Sequence, residues 1–141
     1  MKAVVIGCGR VGSAVAKGLA AEGWEVTAVD ESEDALTRLG SRWAGGFVLG
    51  HGMDLSVLER AGVQEADAAV VATDGDNTNL VIGQVLQKRY GIRTVVVRVL
   101  DPARAAFYAE RGLNTVCPTQ TAISVLLQTV RDAALEPSPS R

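Results

Sequence analysis

The chain has 141 residues, 48% of them hydrophobic and 21% charged, which suits one domain able to enclose a core and excludes a disordered chain. A formal net charge of −2 argues against nucleic acid or an anionic membrane as the main partner. No apolar stretch approaches the ~20 residues of a membrane-spanning helix, so direct membrane insertion is not expected.

Strand and helix signals alternate along the chain. Lys2–Ile6 is a short β-branched run, and Val11, Val15, Gly18 and Leu19 then recur at helical spacing until Gly23. Glu25–Val29 reads as a second strand, Glu33–Leu39 as a short helix before Gly40, and Gly46–Leu49 as a third strand. Asp54 is a good N-cap for a helix carrying Leu55, Leu58 and Ala61 and closed by Gly62. Ala68–Ala72 is the fourth strand, Asp76–Tyr90 a helix ending at Gly91, and Thr94–Val99 the fifth strand. Asp101-Pro102 starts a helix running to about Arg111, Asn114–Cys117 is the sixth strand, and Thr119–Ala134 is the last helix. Residues 135–141 read as a frayed tail. Strands that are apolar throughout, separated by helices, imply a parallel sheet covered on both faces. The expected fold class is α/β: a Rossmann-type, doubly wound sheet of six strands in the order 3-2-1-4-5-6, forming one domain over residues 1–134.

Between the first strand and its helix stand Gly7, Gly9 and Gly12, in the pattern G-x-G-x-x-G. Gly7 permits a tight turn, Gly9 leaves room for a pyrophosphate, and Gly12 lets helix and strand pack closely. The N–H groups at that helix N-terminus then meet negative charge. Arg10 can reach a phosphate as a charge-assisted donor, or be a solvated surface arginine. Cys8 reads as a small residue tolerated in the turn, although a helix N-terminus can lower a thiol pKa. Cys8 and Cys117 form no metal-spaced cluster and no disulfide framework, which fits a reducing, cytosolic setting.

Asp30 ends the second strand about 20 residues beyond the glycines, where an acid hydrogen-bonds ribose hydroxyls; the alternative is that it caps the next helix. Glu31, Glu33 and Asp34 follow it. A 2′-phosphate would be repelled there, which favours NAD(H) or an adenosine nucleotide over NADP(H). After the fourth strand comes VVATDGDNTNL. Thr73 and Asp74 fall on the crevice side of the sheet, as ligand groups or as a polar cap for the next helix, while Asn77 and Asn79 order the turn. Arg98 is a charge inside an apolar strand, which calls for an anion or an ion-pair partner such as Asp74.

These stretches resemble a known family. GCGRVGSAVAKGLAAEGWEVTAVD, then G-x-x-x-D-x-x-V-L-x-x-A-G, TDGDNTNL, VRVLDP and RGLNTVCP follow the order seen in the N-terminal domain of regulators of potassium conductance. These are the Trk/Ktr-type nucleotide-binding subunits, whose domain is called KTN, RCK-N or TrkA-N. The resemblance runs from about Met1 to Ala134. It implies a regulatory domain that binds NAD(H), or ATP, ADP or AMP, and passes the ligand state to a membrane potassium channel or transporter. By matching positions, Gly7, Cys8, Gly9, Arg10 and Val11 would hold the phosphates and Asp30 the adenosine ribose. Thr73, Asp74 and Arg98 would complete the cleft. The implied location is the cytoplasm, at the inner face of the plasma membrane through the partner, and the implied assembly is a homodimer or a larger ring.

The sequence departs from that family twice. Where the family commonly has Gly-Asp-Ala after the third strand, this chain reads Gly50-His51-Gly52. His51 can stack on or hydrogen-bond a base, or be a solvent-facing loop residue. Full members of that family also usually carry a C-terminal ligand-binding domain, and none is expected after the last helix here.

An enzyme is not expected. A dehydrogenase of this fold normally recruits a second domain for its substrate, and Ser13 and Cys8 lack a neighbouring base. The rival reading is a small NAD-dependent oxidoreductase, or its cofactor half; a third is an interaction module with a vestigial cleft. The last helix carries Ala122, Ile123, Leu126, Leu127 and Val130. That stripe either covers the sheet of its own subunit or supports a dimer with C2 symmetry as the default.

Overall fold

The computed structural model describes residues 1–137. Its elements are β1 (Lys2–Ile6), α1 (Arg10–Ala21), β2 (Glu25–Asp30), α2 (Asp34–Leu39), β3 (Gly46–Leu49), α3 (Leu55–Arg60), β4 (Ala68–Val71), α4 (Asp76–Lys88), β5 (Thr94–Arg98), α5 (Pro102–Ala109), β6 (Asn114–Val116) and α6 (Pro118–Leu135). Every expected strand and helix is present. Boundaries move by one or two residues, and a short 3-10 turn at Val63–Glu65 was not foreseen. That turn follows Gly62, which is left-handed at φ +86° and ends α3, and it sinks Val63 fully into the core.

The six strands form one parallel sheet in the order β3-β2-β1-β4-β5-β6, as the strand–helix alternation implied. β-branched side chains favour the pleated sheet and alternate between its faces. Val4 and Ile6 of β1 join Val29, Val71 and Val97 in a core layer against Leu58 of α3 and Leu80, Ile82 and Leu86 of α4. Ala3 and Val5 point the other way, onto Ala16 of α1 and Ala35 and Leu39 of α2. Small residues dominate this second layer, so α1 lies close to the sheet. Burying each large aliphatic side chain contributes roughly 1.5–3 kcal/mol, so these two layers carry most of the folding energy.

Helix ends follow local chemistry. Asp54 accepts from the Ser56 N–H at 2.9 Å at the start of α3, and its hydrogen bonds with Ser56 hold its carboxyl below the usual carboxylate range. Asp101 accepts from the Arg104 N–H at 2.9 Å and precedes a proline at the first position of α5.

Ile6 and Val71 end their strands beside Val29, the last residue of β2 but one. β2 leaves β1 in one direction and β4 in the other, so the loops after these strands part and leave a crevice at the carboxyl edge.

α6 is unlike the other helices. None of its residues is buried, and Leu126 and Val130 are 66% and 67% exposed. Of the two roles open for its apolar stripe, covering the sheet of its own subunit is not the one seen. The helix reaches Leu135, one residue beyond the expected end, and the last residues of the expected frayed tail lie outside the described residues.

Candidate functional site

A cleft of about 340 Å³ opens at the carboxyl edge between the loops after β1, β2, β3 and β4. Its base is the glycine turn. Gly7 is left-handed at φ +89°, and a Cβ there would lie 2.5 Å from the Thr73 amide nitrogen. Only glycine combines that φ with that approach. A Cβ on Gly12 would collide with the carbonyl oxygen of Gly7, so this glycine is what lets α1 dock on the turn. Gly9 has nothing within 4 Å of its missing Cβ. Its lack of a side chain leaves open space rather than relieving a clash within the protein.

Gly9 is also the N-cap of α1. It supplies no side-chain cap bond, and there is no acidic residue in the first turn. The first N–H groups of a helix lack partners inside it and carry partial positive charge. An anion lying over Gly9 meets these donors without competition from the protein.

Asp30 faces this turn. Its Oδ2 accepts from the Cys8 N–H at 2.7 Å, and its Oδ1 from the Ser32 N–H at 2.9 Å. Asp30 thus ties the end of β2 to the glycine turn, and each oxygen keeps a lone pair for a further donor. It does not cap α2, whose N-cap is Glu33 without a side-chain bond. Arg38, on α2, reaches back so that its Nε donates to the Cys8 carbonyl at 2.7 Å. The Cys8 peptide is therefore held from both sides. Lys17 of α1 fixes the same helix end by donating to the Arg38 carbonyl at 3.0 Å.

The Cys8 side chain is fully buried, 3.7 Å from the carbonyls of Val5 and Val29. Burial, and then the Asp30 charge, push its thiol up to about 11. Burial outweighs the opposing pull of the Val29 carbonyl and the Arg38 charge, and the side chain packs in the core layer with Ala16 and Ala35.

On the opposite wall, Thr73 and Asp74 line the cleft as expected, but Thr73 is already occupied. Its N–H donates to Asn79 Oδ1 at 3.0 Å, and its hydroxyl donates to the same oxygen. Asn79, 1% exposed, also donates through Nδ2 to the carbonyls of Thr73 and Arg98, both at 3.0 Å. Arg98 Nη2 donates to the Thr73 carbonyl at 2.6 Å and stands 3.7 Å from Asp74 Oδ1. Its Nε is buried without a hydrogen-bond partner among the described residues.

Of the nine residues expected at the site, Gly7, Cys8, Gly9, Asp30, Thr73 and Asp74 line the cleft. Arg10, Val11 and Arg98 do not. Arg10 and Val11 start α1 with exposed side chains, and their backbone N–H groups are placed to serve the turn. Arg98 acts from behind Thr73 and Asp74. Glu31, Ser32, Arg38, His51 and Thr78 line the cleft as well. A signal for Arg38 was available: it stands three residues after the buried Ala35, beside the sheet-facing stripe of α2.

A doubly wound parallel sheet, a glycine turn opening onto a helix N-terminus and an acid at the end of the second strand define a Rossmann-like domain. A profile of the TrkA-N domain matches residues 3–119, and the chain belongs to that family. Among curated relatives, a "Trk system potassium uptake protein TrkA" of Streptomyces coelicolor is 36% identical over 137 residues, covering 97% of this chain and 61% of that protein. A "Trk system potassium uptake protein TrkA homolog" of Methanothermobacter thermautotrophicus is 30% identical over 127 residues, covering 89% and 58%. The chain thus spans about three fifths of the length of these relatives. Among solved structures, the Kef C-terminal domain of Shewanella denitrificans in its AMP-bound form superposes with a TM-score of 0.80 at 24% identity, over 98% of this chain and 84% of that one. A GsuK channel bound to NAD superposes at 0.65 and 19% identity, over 83% and 21%. At these identities the two structures speak for the fold. Among the described residues no helix is long and apolar enough to cross a membrane.

Proposed function

We propose that this domain is the nucleotide sensor of a potassium-uptake regulator, and that its cleft holds an adenosine nucleotide, NAD(H) or ATP, ADP or AMP, without transforming it. The observation that carries the reading is the glycine turn. Gly7 and Gly12 are required by the protein's own packing, whereas Gly9 faces open space beside an uncapped helix N-terminus. The phosphates lie on the N–H groups of Gly9, Arg10 and Val11, with the Arg38 guanidinium beside them. Asp30 accepts from the ribose, and the acids around it disfavour a 2′-phosphate. Asp74, backed by Arg98, closes the other side. The names of the relatives support the potassium role, and the AMP and NAD in the names of the two structures support the ligand class.

The regulatory reading also draws on the chemistry of the cleft. The one histidine, His51, has its Nδ1 occupied by the Met53 N–H at 3.1 Å, and the thiol in the glycine turn is held protonated by burial. A ligand acts by stabilising one arrangement of the loops after β1, β2 and β4 over another. The route outward runs through Asn79 and Arg98 into α4 and β5. The bare stripe of α6 docks on a second copy of this chain, giving at least a homodimer on which a membrane transporter or channel reads the ligand state.

Calorimetry with NAD+, NADH, ADP, ATP and AMP tests the ligand class, and incubation of NADH with a carbonyl panel tests for turnover. Binding without consumption is expected. Turnover that depends on Asp74 or His51 would favour an oxidoreductase. Light scattering should give a dimer or a larger assembly, and Leu126→Asp with Val130→Asp should give a folded monomer. A wild-type mass that stays monomeric at all concentrations would remove the dimer.

A further inference from the structure

We infer that the groove lined by Trp24 and Trp43 is a second ligand site, which takes a small aromatic carboxylate. It lies at the amino edge of the sheet, opposite the cleft of the glycine turn, so the inference stands apart from the nucleotide reading. The end of α1, the start of β2 and the loop from α2 into β3 enclose about 630 Å³ there. That volume falls within the range of small-molecule sites.

The floor of the groove is apolar and belongs to the core. Val26 and Leu39, both nearly inaccessible, form it, and the small side chains of Ala20 and Ala21 line the α1 side. Both indoles are half-buried beside this floor. Trp43 is held in place: its Nε1–H donates to the Gly46 carbonyl at 3.2 Å and its backbone N–H to the Gly40 carbonyl at 3.1 Å. A Cβ on Gly45 would strike the Trp43 ring and lie 2.5 Å from the Val26 carbonyl oxygen. Glycine at this position is what lets the loop lie flat on β2 with the indole against it. The backbone of Trp24 is tied by its N–H to the Leu19 carbonyl at 3.1 Å, while its indole N–H has no partner among the described residues.

The rim carries positive charge that the protein leaves unmatched. Lys17 uses one of its three N–H donors on the Arg38 carbonyl at 3.0 Å. Arg42 has no acid within ion-pair distance among the described residues. Glu25 is the one acid lining the groove, and it stands 3.9 Å from the Lys2 ammonium. Two cations without an acid thus sit over an apolar floor, in a chain whose formal net charge is −2. The fold does not need them there, since exposed charges contribute little to stability. Their complement is an anionic acceptor on an apolar body. A carboxylate takes charge-assisted bonds from guanidinium and ammonium groups, and an aromatic ring packs on indole faces. A bare inorganic anion would leave the floor uncovered, and a neutral ring would leave the rim unpaired.

Both tryptophans of the chain line this groove, so tryptophan emission reports on it directly. Titration of the full chain with phenylpropionate should shift the emission to the blue and saturate. The acid should bind about tenfold or more tightly than phenylpropionamide, its uncharged counterpart, as expected for hydrogen bonds between charged groups. Propionate, which lacks the ring, should give no shift at the same concentrations. Arg42→Gln should unfold at the wild-type urea concentration and narrow the preference for the acid several-fold; adding Lys17→Gln should abolish it. The absence of a saturable shift overturns the inference. So does equal binding of acid and amide by the wild-type chain, or a preference that survives in the double variant. A blue shift that grows with protein concentration without any acid would put a second copy of this chain in the groove and overturn it as well.

Discussion

The two walls of the cleft are built from similar residue types and differ in how much of their polar capacity is left over. On the wall formed after β2 and β3, Asp30 accepts one backbone N–H at each oxygen and keeps a lone pair on each. Glu31 and His51 point outward beside it. On the wall formed after β4 and β5, Thr73, Asn79 and Arg98 hydrogen-bond one another and the intervening backbone. Asp76 is likewise occupied, by the N–H groups of Leu100 and Asp101. The first wall has groups free for a ligand, and the second is a joint that fixes β4, α4 and β5 to each other. Substitution on the first wall should cost affinity; on the second it should cost stability.

The glycine turn spans both walls and gives the largest expected effects. Gly12→Ala forces a Cβ into the Gly7 carbonyl. It should destabilise the chain by about 3 kcal/mol or more in urea unfolding, at the upper end of overpacking costs. Gly9→Ala meets no protein atom; it should unfold at nearly the wild-type urea concentration and yet lose nucleotide binding in calorimetry. Equal stability loss in both variants would show that Gly9 also serves the fold, and the contrast would fail. On the second wall, Asn79→Ala takes the partner from the Thr73 N–H and from the Arg98 carbonyl in a part-buried site, while the Thr73 carbonyl keeps only Arg98. A loss of about 3 kcal/mol of unfolding free energy is expected. A variant of wild-type stability that binds no nucleotide would move Asn79 to the ligand-facing side of the comparison.

The same contrast marks what the sequence made legible. The sheet order, the strands and the α-helices could be read because β-branched runs, glycine stops and Asp caps each have a local cause, whereas the 3-10 turn after Gly62 could not. The glycine turn and Asp30 were legible for the same reason: strand, turn and helix fix where an acid at the end of the second strand must lie. Arg98 was recognised as a charge needing a partner, but its placement behind Thr73 depends on the approach of β5 to β4, which no local pattern encodes. Arg10 was open between a phosphate donor and a solvated arginine, and its exposed side chain at the first turn of α1 leaves both roles open to it. Arg38 was missed although its place beside the buried stripe of α2 was a signal; that its Nε donates to the Cys8 carbonyl is a contact between distant stretches that no local pattern encodes. The apolar stripe of α6 was seen, but spacing alone cannot tell a face that covers its own sheet from one that meets another chain.

Smaller effects are expected from Asp30, which belongs to the first wall and also ties the glycine turn. Asp30→Asn keeps an acceptor for one of the two backbone N–H groups, whereas Asp30→Ala keeps none. Both should weaken nucleotide binding by about 1–3 kcal/mol in calorimetry, with the alanine variant also losing some stability. Unchanged affinity in the asparagine variant would leave Asp30 with the turn alone and remove it as the ribose acceptor.

The two cysteines carry the comparison to its smallest effect. Cys8 sits inside the turn with no exposed surface. Cys117 is half-buried at the start of α6, where its sulfur accepts from the Gln120 N–H at 3.4 Å. A thiol reagent at pH 8 should label Cys117 rapidly and reach Cys8 only after unfolding. Burial holds the folded Cys8 thiol up to about 11, against an ordinary value of 9.0. The unfolded chain therefore releases this proton at lower pH than the folded one. The stability linked to the neutral thiol is complete below about pH 9 and is lost as pH rises through about 11, a difference on the order of 1 kcal/mol at pH 10. Urea unfolding at pH 8 and pH 10 should show this loss in the wild type and not in Cys8→Ala. Rapid labelling of both thiols at pH 8 would mean that the glycine turn opens in solution; the first wall would then not be preformed, and its free groups would be arranged only when a ligand arrives.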